Sequence, residues 1–200
     1  LDSITSGHFS RGDKELFRRH IGPNPEHVLQ RHAGTAVGDG LRMAEAAGAA
    51  LTRLDRFYGH LLSRDAMHNE GLWPYPQIDA VATAGIVIDP NGRRLLDEGL
   101  GGISITNDLA RLDDPLCATV ICDAVIWDTA GRAAQIPPNP QLVEGGGTLH
   151  RADTIEALAL LTGIDPAALR ATLDAYNAAV RQMPTRLISA LFGFAPAGPL

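Results

Sequence analysis

The chain has 200 residues, 45% hydrophobic and 20% charged, which suits a globular domain with one compact core. Its formal net charge is −6 and Lys14 is its sole lysine. With no basic face or run, nucleic acid is not an expected partner, and no apolar run reaches the ~20 residues of a bilayer span.

Asp13 is expected to cap a short helix over residues 14–21, stopped by Gly22. Asn24 and Pro25 open a second short helix, which Gly34 ends. Asp39 then reads as the cap of a helix running through Ala50, with Leu41, Ala44, Ala47 and Leu51 as a narrow apolar stripe. Residues 57–80 mix aromatics, prolines and histidines without steady periodicity and read as a loop. Residues 82–89 and 93–98 flank Pro90-Asn91-Gly92 and predict a hairpin.

A strand follows over 118–123. Cys117 and Cys122 bound the segment CATVIC there, and five residues apart on a strand they point to opposite faces, so buried free thiols in a reducing, cytoplasmic setting are expected. A short helix over 124–131 leads into a proline- and glycine-rich connection over 136–147. Asp153 and Glu156 form a D-x-x-E cap for a helix that Gly163 ends, and Asp165-Pro166 starts the last helix. There Leu169, Leu173, Tyr176 and Val180 share a face, and beyond Gln182 no period is visible. Helices at both ends and strands in the middle predict an α+β fold with a small central antiparallel or mixed sheet.

The stretch GTAVGDGLRMAEAAGAA, residues 34–50, is the best candidate for a phosphate-cradling turn. Counting excludes both standard loops. Met43 stands where a dinucleotide fingerprint needs its third glycine, and Asp39 stands where a P-loop counted from Gly34 needs its second. An aspartate-capped turn remains.

Four pieces of the chain, taken in order, are more informative. VGDGLRMAEAAGAAL is similar to the T-G-D-G-x-x-M-A-x-x-x-G-A-x-L segment of flavoproteins grouped with fumarate reductase and succinate dehydrogenase, which include ketosteroid and tricarballylate dehydrogenases. SGHF with GDKELFRRHIG resembles the G-G-F stretch and helix that precede that turn. IVIDPNGRRLLDE resembles the family's I-x-V-N-x-x-G-x-R-F-x-x-E hairpin, and LRATLDAYNAAV its L-x-x-T-V-x-x-Y-N helix. Departures are His8 for a glycine, Val37 for the threonine and Leu95 for the phenylalanine.

The resemblance implies FAD-dependent oxidation or reduction of a carbon–carbon bond in a small molecule. It divides the chain into a helical segment adjoining the FAD domain (1–56), a cap over the substrate (57–164), a helix returning to the FAD domain (165–182) and a divergent tail (183–200). It puts Gly38, Asp39 and Gly40 beside the flavin. The family's G-x-G-x-x-G half is absent from these residues, so the expectation is a fragment that does not turn over or hold FAD tightly alone. Exposed apolar surface, and hence self-association, is expected where the remainder would dock. A non-catalytic binding module derived from such a cap is the alternative.

Two residues inherit catalytic roles from the resemblance. His60 falls at the family's substrate-facing histidine, against the plain reading of a surface-loop histidine. Glu98 falls at the hairpin glutamate, which belongs to a proton relay in fumarate reductases, against the plain reading of an exposed strand-end carboxylate. The arginine three residues beyond that glutamate is Gly101 here, so a fumarate-reductase-type proton donor is not expected. Arg93 and Arg94 could clamp a carboxylate, and Tyr58, Trp73 and Tyr75 could line an apolar pocket. His27, His32, His60, His68 and Glu70 lack regular ligand spacing, and no metal site is expected.

Overall fold

A computed structural model describes residues 14–29 and 38–182. Expectations for the SGHF piece, Asp13, His32, the turn over 34–37 and the tail lie outside the described residues. In chain order the elements are α1 (Lys14–His20), α2 (Asp39–Ala46), α3 (Asp79–Ala84), β1 (Ile86–Ile88), α4 (Gly102–Ala110), β2 (Thr119–Ile121), α5 (Ala124–Asp128), α6 (Pro138–Glu144), α7 (Ile155–Thr162) and α8 (Pro166–Gln182). The fold is α+β, as expected.

The two strands pair antiparallel, with Ile86 opposite Ile121 and Ile88 opposite Thr119. Alternation sends Ile86 and Ile88 to one face, where Ala159, Ile164, Leu169 and Leu173 of the α7–α8 region cover them. Val87 points the other way, onto Leu61, Ala82 and Ile105. Both faces of the ribbon are therefore covered, which is why all three β1 residues are apolar and buried. Each such side chain contributes roughly 1.5–3 kcal/mol of burial. A further cluster of Leu72, Val81, Ile126, Trp127 and Leu142 ties α3, α5 and α6 to the segment over 57–80. Phe17 and Ile21 dock α1 against Ala110 of α4.

The expected hairpin forms only around its turn, and its arms are shorter than expected. Its turn forms, because Asp89 Oδ1 accepts from the N–H groups of Asn91 and Arg93, both at 2.8 Å. The arms then pair over a short stretch about the Ile88–Arg94 bridge, with the Asp89 N–H donating to the Arg93 carbonyl at 2.8 Å and the Leu95 N–H to the Val87 carbonyl at 2.9 Å, before the chain leaves the ladder. Asp97 accepts from the Gly99 N–H and curls the return arm into a 3-10 turn, Glu98–Leu100. Residues 82–84 end α3 instead of extending the strand, because the alanine-rich run after Asp79 favours helix.

Other boundaries also move. Gly38, not Asp39, is the N-cap of α2, and Asp39 instead pairs with Arg42. The helix stops at Ala46, because Gly48 takes a left-handed conformation at φ +80°. Of its apolar stripe Leu41, Ala44 and Leu51 are half-buried, and no residue from Asp39 to Ala46 is fully buried. Thr154, not Asp153, caps α7 by accepting from the Ala157 N–H. The 136–147 connection contains α6, whose two prolines, Pro138 and Pro140, both fall in the first turn, where helices tolerate them. Helix α4 has no counterpart among the expected elements. Asn24 donates to the Asp113 carbonyl instead of capping, and Pro25–His27 is a single 3-10 turn.

Candidate functional site

The segment Phe57–Leu61 is strapped at both ends. At one end Asn107, buried on α4, accepts from the Phe57 N–H at 2.9 Å and donates to the Phe57 carbonyl at 2.8 Å. At the other, the Leu61 N–H donates to Asp79 Oδ2 at 3.2 Å, and the Leu61 carbonyl accepts from the Ile78 N–H at 2.9 Å. Two buried or half-buried polar side chains thus fix a strand-like segment that makes no sheet.

Between those straps stand Tyr58 and His60. His60 Nδ1 lies 3.2 Å from Asp79 Oδ1, and His60 Nε2 lies 3.2 Å from the Tyr58 hydroxyl, with the two rings edge to face. The His60 side chain is 30% exposed and that of Asp79 22%. Burial pushes the Asp79 carboxyl above its ordinary value, while the neighbouring His60 pulls it back. His60 is therefore held by its neighbours and is not a free surface histidine.

Tyr58 and His60 line a cavity of about 870 Å³ that Phe57, Trp73 and Tyr75 also line. All three aromatics expected to form a pocket do so. The walls mix aromatic and aliphatic side chains with His27, Arg56, Arg64 and Gln77 beside the dyad, which suits a ligand with an apolar body and oxygens that a histidine, tyrosine or arginine can meet.

Glu98 is elsewhere. It lines neither large cavity, and it is 2% exposed, which corrects the reading of a solvated carboxylate. Oε1 accepts from the Val87 N–H at 2.8 Å, and Oε2 accepts from Arg94 through Nε and Nη2. The Arg93–Arg94 pair splits, for Arg94 clamps this internal carboxylate while Arg93 is exposed. Gly38, Asp39 and Gly40 do not line the His60 cavity either. Gly38 sits at φ 79° as the N-cap of α2, and being glycine it offers no side chain to cap the first turn.

Both cysteines are free and half-buried, less enclosed than expected. Among the described residues no cluster of three metal-ligating side chains occurs. No helix there is long and apolar enough to cross a membrane. Sequence reasoning missed Asp79 and Asn107. Asp79 looks like an ordinary helix-start residue, and Asn107 like a polar residue inside a helix that was not expected.

No protein-family model matches the chain. Among solved structures it is similar to the 3-ketosteroid-Δ4-(5α)-dehydrogenase from Rhodococcus jostii RHA1, determined in complex with 4-androstene-3,17-dione, at 19% identity and a TM-score of 0.51. The match covers 86% of this chain and 31% of that protein, and at this identity what the two share is the fold.

Proposed function

We propose that the chain is the cap, with adjoining flavin-side helices, of an FAD-dependent oxidoreductase acting on a carbon–carbon bond. The observation that carries this reading is the Tyr58–His60 dyad, fixed from behind by Asp79, on an aromatic-walled cavity of about 870 Å³. The fold shared with a solved ketosteroid dehydrogenase supports it. In this reading residues 57–164 form the cap, 1–56 and 165–182 adjoin the flavin domain, and 183–200 are a divergent tail.

Gly38, Asp39 and Gly40 are the residues that would meet the cofactor. A left-handed glycine at the start of a helix fits a flavin edge held through backbone, while the Asp39 charge is offset by Arg42. FAD, when bound, supplies the hydride acceptor or donor.

The chain's own residues handle the substrate oxygen and its proton. With His60 neutral and Nδ1–H directed at Asp79, Nε2 accepts the Tyr58 proton. Once His60 is protonated, Nε2–H donates to the Tyr58 oxygen and frees the phenolic O–H to bond a substrate carbonyl. The dyad can thereby polarise a carbonyl and exchange a proton beside the carbon that loses or gains hydride. The substrate class is a largely apolar small molecule with a carbonyl or carboxylate. Glu98 enters as the buried anchor of Val87 and Arg94.

The coding DNA flanking the chain, read in frame, tests the proposal when its whole product is purified. The expected product carries a G-x-G-x-x-G segment, is yellow with bound FAD, and desaturates or reduces a cyclic ketone. A colourless product that ignores added FAD would leave the non-catalytic binding module as the better reading.

A further inference from the structure

We propose that Asp79 is the positioning residue of this site, holding His60 in the Nδ1–H tautomer so that Nε2 faces Tyr58 as an acceptor. Its importance for turnover rests on the function proposed above, but the positioning stands on geometry alone.

Asp79 Oδ2 is engaged by the Leu61 N–H and Oδ1 by His60 Nδ1, each at 3.2 Å. An ionised carboxylate only accepts, so the Leu61 amide and the imidazole must both donate to it. That assigns the ring proton to Nδ1 and leaves Nε2 as the acceptor for the Tyr58 hydroxyl. Without such a partner a histidine samples both tautomers, and Tyr58 would have no fixed direction for its proton.

The surroundings of the carboxylate are built for this contact. A Cβ on Gly102, the first residue of α4, would fall 2.1 Å from Asp79 Oδ1, so the carboxylate occupies space that only glycine leaves open. Placement against the first turn of α4 also favours negative charge there. Asp79 is itself the first residue of α3, whose Val81 and Ala82 are buried in two separate clusters, so its backbone cannot drift. The Ile78 N–H to Leu61 carbonyl bond ties the two segments together beside it.

Asp79→Asn separates positioning from shape. The amide keeps its oxygen on the Leu61 N–H and turns its NH₂ toward His60 Nδ1, which then accepts. The ring proton moves to Nε2, and the proton pattern toward Tyr58 inverts in a side chain of the same size. The experiment is long-range 1H–15N NMR of the histidine rings in this chain at mildly alkaline pH, with His60 assigned through His60→Gln. Wild type should show His60 with Nδ1 protonated, and Asp79→Asn should show Nε2 protonated with the other histidines unchanged. A wild-type Nε2–H tautomer, or identical His60 signals in both proteins, would overturn the assignment. Should Asp79→Asn not fold, wild type and Tyr58→Phe still decide. Tyr58→Phe should keep the Nδ1–H form, and its loss there would mean that Tyr58, not Asp79, sets the tautomer.

In the flavin-bearing gene product, Asp79→Asn should lower kcat by roughly 10²–10⁴-fold with a much smaller change in KM. A tautomer switch with unchanged turnover would leave the positioning intact and overturn the catalytic use of His60.

Discussion

Arg94 offers the sharpest test of how the ribbon is held. Its guanidinium reaches Glu98 Oε2 through Nε at 2.8 Å and Nη2 at 2.5 Å, and lies 5.4 Å from the Tyr176 ring centroid. Arg94 is 41% exposed at its side chain, whereas Glu98 is 2% exposed. Arg94→Ala therefore removes the partner that water can partly replace and strands the one that water cannot reach. Leaving a buried charge unpaired costs about 3–5 kcal/mol, and the lost cation–π contact adds about 0.5–1 kcal/mol. The exposed edge of the pair lets some water in, so the lower half of that range, about 3–4 kcal/mol, is expected. For a chain of this length that is a fall in Tm of roughly 6–15 °C. Glu98→Gln keeps the bond to the Val87 N–H and removes the charge, and should cost only about 1–2 kcal/mol. Combining the two substitutions should then be less destabilising than Arg94→Ala alone, because the stranded charge is gone. Urea unfolding of the four proteins gives the cycle. A loss below about 1 kcal/mol for Arg94→Ala, or a double variant no better than that single one, would refute the buried-pair account.

Three further outcomes follow from the same geometry. Asn107→Ala removes the donor and acceptor that hold Phe57 and should cost about 2–3 kcal/mol in urea unfolding. Quenching of Trp73 by an apolar ketone in the cavity should weaken with it, and intact stability would refute the strap. Gly102→Ala places a methyl 2.1 Å from Asp79 Oδ1 and should displace the carboxylate, so His60 should show a mixture of both tautomers by NMR while helical circular dichroism is kept, and an unchanged Nδ1–H form would refute it. Burial and the adjacent Asp123 push the Cys122 thiol up to about 11 from a reference of 9.0, so its alkylation near pH 8 should run about 100-fold slower than in the unfolded chain. Mass spectrometry after iodoacetamide would read the rate, and equal rates would contradict the burial.

Much of the architecture was legible because it rests on local signals. Asp165-Pro166 marked the start of α8, Gly163 the end of α7, and the apolar run at 86–88 a strand. Pairing was only half legible. Asn91-Gly92 predicts a hairpin from local chemistry, and its arms do pair about Ile88 and Arg94, but the other edge of β1 finds its partner at Thr119–Ile121, and no local pattern encodes that contact. Helix α4 was hidden because Ile103, Ile105 and Thr106 are β-branched and weak helix formers, stabilised here by burial of Ile105 and Ala110. His60 was visible through resemblance. Asp79 was not, since a carboxylate nineteen residues away gains meaning only when the fold closes. For Glu98 a resemblance suggested a proton path, and what the fold adds is a contact set that anchors Val87 and Arg94.

The central claim is that the Tyr58–His60 dyad serves a flavin reaction under this cap. Anaerobic stopped-flow reduction of the flavin in the whole gene product, wild type against His60→Ala, tests it most directly. The account predicts that both proteins bind FAD equally and that a cyclic ketone bleaches the wild-type flavin at least ~10²-fold faster. Equal bleaching rates in the two proteins would contradict it.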